Sequence, residues 1–290
     1  MTGLGSLIAP GLHGDKTMQT SSINLNRKMN WLVSVPFFVM HTLPFAAYWT
    51  GTRPIDWIAG IALFWVRMFF ITAGYHRYFA HRTFKMGRLT QFVFAFMAQS
   101  SAQKGVLWWS GHHRHHHVYS DEPQDLHSPG AGFWWSHCTW FLSYAHEETP
   151  EHLIKDFRRF PELRWMNNWH YGPPVILGVA VFLTLGWSGL WIAFFLSTVV
   201  LFHATFTINS LAHVFGSQRY DTGDDSRNNL WLALLTLGEG WHNNHHQTPN
   251  SCRQGHRWWE IDVCYYILRG LQVLGIVWGI KEPSPRKLSA

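Results

Sequence analysis

The sequence predicts an all-α integral membrane protein: four transmembrane helices in two hairpins, carrying a helical cap on the cytosolic side. Three observations support this. Charged residues make up 14% of the 290-residue chain, well below the roughly 25% of soluble domains. Aromatic residues reach 17%, with 18 Trp and 21 Phe, a composition that anchors rings at membrane interfaces. Four apolar stretches stand in two close pairs, yet mean hydropathy is only −0.08, so a large polar part must accompany the spans. The same figures exclude a disordered chain.

The elements follow in order. Residues 1–26 hold Gly, Ser, Thr and Asn with little apolar pattern and read as a mobile N-terminal tail. No basic run precedes an apolar core there, so no secretory signal is expected. A membrane domain is assigned to residues 27–282, with spans at about 31–49, 57–74, 171–186 and 190–208. Each span is near the lower limit for crossing a hydrocarbon core of about 30 Å. The connectors Thr50–Asp56 and Trp187–Gly189 are too short to do more than turn a hairpin. The cytosolic cap is assigned to 75–170 and 209–282, and residues 283–290 to a C-terminal tail. Within the cap, Leu89–Trp109 and Trp258–Ile280 mix apolar and polar residues and read as interfacial. Glu260, Asp262 and Arg269 keep the second of these from being a fifth span.

Of 23 Lys and Arg, Arg53 lies in a connector and Arg67 inside a span; the others lie before span one, between spans two and three, or after span four. The positive-inside rule then places both termini in the cytoplasm of a multi-pass cell-membrane protein. The formal charge of +6 reads as orientation and lipid contact, with no nucleic-acid partner. The three Cys form no Cys-x-x-Cys pair, which argues against a disulfide framework, an iron–sulfur cluster and a thiolate zinc site.

The 20 His are the second anomaly, because imidazole is costly to bury alone and is the commonest metal ligand. They cluster in three boxes: His76 and His81 after span two, His112 to His117 in the cap, and His242, His245 and His246 in the C-terminal third. In His113-x-x-His116-His117 and His242-x-x-His245-His246 the offsets are three and four, which share a face on a helix. Two such faces opposed would enclose two metal ions. Asn209 and His213, four apart after span four, can join them. His76 and His81 are five apart, about 140° around an α-helix at 100° per residue. They are therefore expected to reach different ions or to straddle a helix end. The remaining His, including His112, His115 and His127, are expected to be structural, to support the ligands from behind, or to be solvated.

Neutral imidazoles suit Fe, Cu, Zn and Ni. Only one Glu-x-x-His, at Glu239 and His242, is present, so a carboxylate-bridged di-iron bundle, which needs two, is excluded. A His-only di-iron site beside a membrane points to O₂ activation and attack on an alkyl C–H bond. No Gly-x-Gly-x-x-Gly follows a strand and no haem motif is visible, so electrons must come from a separate protein.

The boxes Gly74-Tyr-His-Arg-Tyr-Phe-Ala-His81, Trp109-Ser-Gly-His-His-Arg-His-His-His117 and Gly238-Glu-Gly-Trp-His-Asn-Asn-His-His246 resemble those of the membrane fatty acyl desaturases. The match is to the Δ9, stearoyl-CoA-desaturase-like branch and its bacterial members. It is supported by Phe133-Trp-Trp-Ser-His137, Asn209-Ser-Leu-Ala-His213 and Trp258-Trp-Glu-Ile-Asp262 and runs from about residue 30 to 282. The resemblance implies two Fe²⁺ held by His76, His81, His113, His116, His117, His213, His242, His245 and His246, with Asn209 holding a water on one iron. It implies O₂ as co-substrate and a kinked tunnel for a saturated acyl chain desaturated at C9 and C10. It also implies a ferredoxin or b-type cytochrome with an NAD(P)H reductase as electron donor. Met68 and Thr72 on span two, and Trp109, are the tunnel residues it suggests.

The chain also departs from the acyl-CoA members. Where animal enzymes carry basic residues that meet CoA phosphates, this sequence has Gly111, Tyr144 and Ala145. The acyl carrier is left open among CoA, acyl carrier protein and membrane lipid, with Arg82, Lys85, Lys104 and Arg114 as substitute cations. A membrane di-iron hydroxylase is the nearest rival reading. Haem binding would need His within spans, where only His41 and His203 lie.

Overall fold

The computed structural model describes residues 27–288, which are mostly helical. The N-terminal tail expected at 1–26 lies outside the described residues.

Helix α1 (Trp31–Thr42) is capped by Asn30, whose side chain accepts from the Leu32 N–H. It continues through a tight turn, Leu43–Ala46, to Thr50, and Gly51 at φ 69° ends it. Ser34 is its one buried residue. Helix α2 (Pro54–Phe69) starts at Pro54, with Asp56 accepting from the Arg53 N–H at 2.8 Å. It does not stop at Gly74 as expected but runs on as a π-helix, Phe70–Ala80. Arg67, 0% exposed within it, gives its donors to Thr198 Oγ1 and Ser197 Oγ, both at 2.6 Å, and to the Leu63 carbonyl. A charge inside the bilayer is tolerated only where protein surrounds it, and these hydroxyls supply that environment.

Helix α3 (Arg88–Gln99) and helix α4 (Val106–Tyr119) replace the single interfacial stretch expected at 89–109. The α3 face bearing Phe94 and Ala98 packs on the π-helix. Gly74 lies on this contact, where a Cβ would stand at ordinary contact distance, 3.5 Å, from the Phe94 carbonyl oxygen. Helix α5 (Pro161–Asn168) caps α4, with Asn167 Oδ1 accepting from the Leu107 and Trp108 N–H groups.

Helix α6 (Gly172–Gly189) leads through a π-helical segment, Leu190–Leu196, into helix α7 (Ser197–Asn209). A straight helix over Gly172–His213, 42 residues, would be about 63 Å long. Instead the chain doubles back at Gly186, whose φ of 71° and ψ of −161° suit glycine alone. A Cβ on Gly178 would lie 3.2 Å from the Phe194 ring across this hairpin. Among the described residues three segments are long and apolar enough to cross a membrane: Trp31–Thr50, Pro54–Ala80 and Gly172–His213, the last folded on itself.

Helix α8 (His242–Gln247) follows, then helix α9 (Val263–Val273), capped by Asp262. Only the middle of Trp258–Ile280 is therefore helical. Glu260 and Asp262, each 1% exposed, pair with Arg219 and Arg77 and fix this segment to the cap. A short antiparallel pair, β1 (Lys85–Met86) and β2 (Val277–Trp278), joins the two parts of the cap.

Candidate metal centre

Box one lies at the end of the π-helix. The His81 N–H donates to the His76 carbonyl at 3.1 Å, the i→i+5 bond that defines this helix type. Residues five apart then stand about one turn from each other, and the two rings lie 4.8 Å apart. Of the two outcomes the spacing allows, different ions or a straddled helix end, the second holds: His81 stands just past Ala80 at the end of the π-helix, and both rings turn to one group.

All nine His predicted as ligands come together in two groups. In one, ligand atoms of His76, His81, His113, His117 and His245 lie within 4.8 Å of one another; in the other, those of His116, His213, His242 and His246 do. Box one enters the first group whole, and boxes two and three each divide two to one between the groups. The i, i+4 pair His113 and His117 enters the first group while His116, a third of a turn away, enters the second. The pair His242 and His246 enters the second while His245 crosses to the first.

The contacts have the geometry of ligand edges around an ion. Nε2 atoms meet at 3.1 Å between His76 and His245, 2.9 Å between His81 and His113, and 3.0 Å between His113 and His117. Those of His117 and His245, and of His213 and His242, also meet at 3.0 Å. Two imidazole nitrogens about 2.1 Å from one ion and at right angles stand about 3.0 Å apart.

Four of the nine rings give their other nitrogen to a carboxylate. His116 Nδ1 lies 3.0 Å from Asp125, His213 Nδ1 2.8 Å from Asp121, His246 Nδ1 2.6 Å from Asp224, and His76 Nδ1 contacts Glu239. An Nδ1–H donated this way sets the tautomer and turns the Nε2 lone pair toward the metal position. Nε2 of His116 and of His246 are buried with no hydrogen-bond partner in the protein. They are acceptors awaiting a cation, and the donor set fits one. Glu239 is held in turn by Arg77 Nε at 3.1 Å, and Arg77 by Asp262 at 2.9 Å.

Electrostatics favour binding. Burial, reinforced by neighbouring imidazoles, holds His81, His113, His117, His242 and His245 well below the usual His range. They stay neutral, the state a metal requires. Burial opposes ionisation of Asp121, but its bond from His213 outweighs that and holds the carboxyl at about 2.

The four carboxylates were not among the predicted site residues. Their signal was present: charged residues are scarce, and a ligating His needs an acceptor for its second nitrogen. Asp121 and Asp125 closely follow box two and Glu239 precedes box three. His127, not counted among the ligands, stacks on His116 with centroids 4.4 Å apart and forms a third cluster with His116 and Asp125. His112 Nδ1 donates to the Trp108 carbonyl at 2.9 Å, and His112 lies in neither His group.

Beside the centre runs an apolar cavity of about 520 Å³. It begins at His113, Trp109 and Asn209 and extends between α1, α6 and α7 to Trp187, by the Gly186 turn. Trp109 stacks on both His113 and Tyr75, with centroids 5.0 and 5.3 Å apart. Asn209 is the last residue of α7; the helix breaks at Ser210, so His213 reaches its group from a separate tight turn. Met68 and Thr72 are not part of this wall. Met68 is packed in the core, and Thr72 Oγ1 bonds the Thr236 carbonyl at 3.3 Å. Span two thus supports the centre, and α6, α7 and α1 shape the cavity.

Residues 52–274 match the family model described as fatty acid desaturase. The chain is 33% identical over 268 residues to an sn-1 stearoyl-lipid 9-desaturase of Anabaena variabilis, covering 90% of this chain and 97% of that one. It is 30% identical over 268 residues to an sn-2 palmitoyl-lipid 9-desaturase of Nostoc sp. (strain 36), covering 89% and 93%. It is 34% identical over 261 residues to an acyl-CoA 5-desaturase of Anemone leveillei, covering 86% and 80%. The chain belongs to the fatty acid desaturase family and is an acyl desaturase, an oxidoreductase of lipid metabolism.

Proposed function

We propose that this desaturase holds two Fe²⁺ in its paired His groups and inserts a cis double bond at C9 of a saturated acyl chain carried on a membrane lipid. The observation that carries this reading is the apolar cavity ending on His113, one of nine converging imidazoles. When bound, the irons supply O₂ activation and removal of two hydrogens from the chain. The protein's residues do the rest. His76, His81, His113, His117 and His245 would hold one iron. His116, His213, His242 and His246 would hold the other, with Asn209 placing a water on it. Trp109 braces His113 and forms the cavity wall where the reacting carbons lie. The Phe-rich lining excludes water from the chain.

The position of the double bond and the lipid carrier follow the cyanobacterial relatives, whose names specify 9-desaturases of stearoyl- and palmitoyl-lipids. Gly111, Tyr144 and Ala145 in place of CoA-binding cations agree with a lipid carrier. The Gly186 turn supports a four-span arrangement of two hairpins, and the basic residues support cytoplasmic termini. A ferredoxin or b-type cytochrome would deliver electrons at the cytosolic face.

Expression in a host with saturated membrane lipids, followed by mapping of double bonds, tests the proposal. A new 9-monoene with no added oxygen is expected. A hydroxylated product, or a bond at another position, would overturn it.

A further inference from the structure

The apolar cavity is not walled alike on all sides. On its α6 flank, Val175 and Val179 line it and yet are 60% and 51% exposed. Trp187 at the far end lines it and is 55% exposed. A side chain that faces both a cavity and the surroundings stands at an opening. Across from these, Val33, Phe37 and Met40 of α1 line the cavity, and Ser34 is the one buried residue of that helix. The space is therefore a slot along the apolar spans, with α1 and α6 as its lips.

The two flanks of α1 are held differently. On the α7 side a chain of three imidazoles locks it. His41 Nδ1 lies 2.7 Å from the Phe37 carbonyl. A carbonyl only accepts, so this nitrogen carries the proton of the neutral ring, and His41 Nε2 is left as an acceptor. His203 Nε2 donates to it across 3.1 Å, which leaves His203 Nδ1 to accept from His137 Nε2 at 2.9 Å. His137 Nδ1 meets Ser210 Oγ at 2.9 Å, so the chain has one direction and ties α1 through α7 to the cap. Phe37 adds ring contacts with Phe202 and Phe141, centroids 5.8 and 5.6 Å apart. At the cytosolic end the Asn30 N–H and the Ser34 hydroxyl reach the Leu142 carbonyl at 2.8 and 3.4 Å. No hydrogen bond or ring contact joins α1 to α6 among the described residues. Pro36, inside α1 and lining the slot, has no N–H to give to the preceding turn, and that loss eases bending of a helix.

We propose that the slot between α1 and α6 is a side entrance from the bilayer, through which one acyl chain of an intact two-chain membrane lipid enters the cavity while its second chain stays outside. The proposal rests on the desaturase reading. A chain threaded end-on must first leave the bilayer, at a cost that grows with every methylene exposed to water. Through a side slot it passes from one apolar medium to another, and the ester stays at the interface. The lips suit that passage. The α7 flank of α1 carries every polar tie, so the α6 flank parts without breaking any. The acyl thioester of a water-soluble carrier has no second chain to leave outside and needs no opening along the spans.

Cysteines on the two lips, Met40→Cys with Val179→Cys, would be joined by a bis-maleimide whose linker carries a cleavable disulfide. The iron-loaded protein, in vesicles containing a stearoyl lipid and supplied with a ferredoxin, its reductase and O₂, should lose nearly all turnover when linked and regain it when the linker is cut. Linked after the lipid has entered, it should complete a single turnover and stop; no product from it would overturn entry as the blocked step. Linking the locked flank instead, in His41→Cys with His203→Cys, should leave turnover at the unlinked rate, and loss there as well would overturn the choice of the α6 side. Val33→Cys with Val175→Cys, nearer the cytosolic end of the same lips, repeats the test should the melting temperature show that the first pair unfolds the protein. Linked lips that keep the unlinked rate on vesicle lipid would overturn the side entrance. So would a wild type that desaturates a soluble thioester and leaves vesicle lipid untouched. No double bond in any substrate would instead overturn the reading beneath it.

Discussion

Four of the nine clustered imidazoles are each half of a His–carboxylate pair. His116, His213, His246 and His76 each turn one nitrogen to a carboxylate and the other to the metal position. Removing the carboxylate charge while keeping its shape tests that arrangement. Asp125→Asn and Asp224→Asn should bind iron 10- to 100-fold more weakly, a range typical of such supporting partners, in a chelator competition. His116→Ala or His242→Ala should abolish desaturation in the host assay, whereas the exposed His152→Ala should keep near wild-type product. Three other His report on pH. Burial holds His137, His146 and His256 at about 4, against an ordinary value near 6.5. Below about 6.5 the unfolded chain binds more protons than the folded one, so their stabilising effect is complete above that pH and fades as pH falls toward 4. The melting temperature of the purified protein should therefore decline between about pH 6.5 and about pH 4; a flat profile would contradict their buried, neutral state. At this scale the grouping of the His into boxes was legible from the sequence. The carboxylates were not, because an Asp near a His box looks like any solvated Asp until the fold buries it.

Helix type decides what a spacing means. His76 and His81 diverge on an α-helix and converge on the π-helix that forms there. No local pattern in Phe70–Ala80 announced it, since π-helices are selected by the tertiary contacts they permit. The α6 hairpin is a second case. Gly178 faces Phe194 and lines the cavity, so the side chain there, and not Met68 or Thr72 on α2, should limit how much chain fits. Gly178→Val should shift products toward shorter acyl chains with the double bond at the same distance from the carboxyl end, read by gas chromatography. An unchanged profile with activity retained would place the methyl end elsewhere. Gly186→Ala should lower the melting temperature, because its backbone conformation costs other residues about 1–3 kcal/mol.

Taken whole, the molecule is a set of apolar helices that hold a polar, His-rich cap. Its sequence carries no dinucleotide-binding or haem motif, which sets a requirement on its partners. Purified protein with NADH and O₂ alone should not turn over, and addition of a ferredoxin with its reductase should start it; turnover without the donor would contradict the proposed electron route.

The primary sequence by itself determined the class of protein and its chemistry. Low charge, abundant Trp and four apolar stretches specify a membrane protein because burial and solvation act on each segment separately. The His boxes point to a metal centre because residues four apart share a face on an α-helix. What depends on distant segments meeting was decided only by the tertiary structure. Packing divided boxes two and three between two groups, continued α2 as a π-helix, gave four imidazoles their carboxylates, and built the cavity from α1, α6 and α7. Each of these rests on contacts across more than a hundred residues in places, such as His76 with His245 and Arg67 with Thr198. Local propensity carries no information about which of many possible partners a side chain will meet once the helices pack.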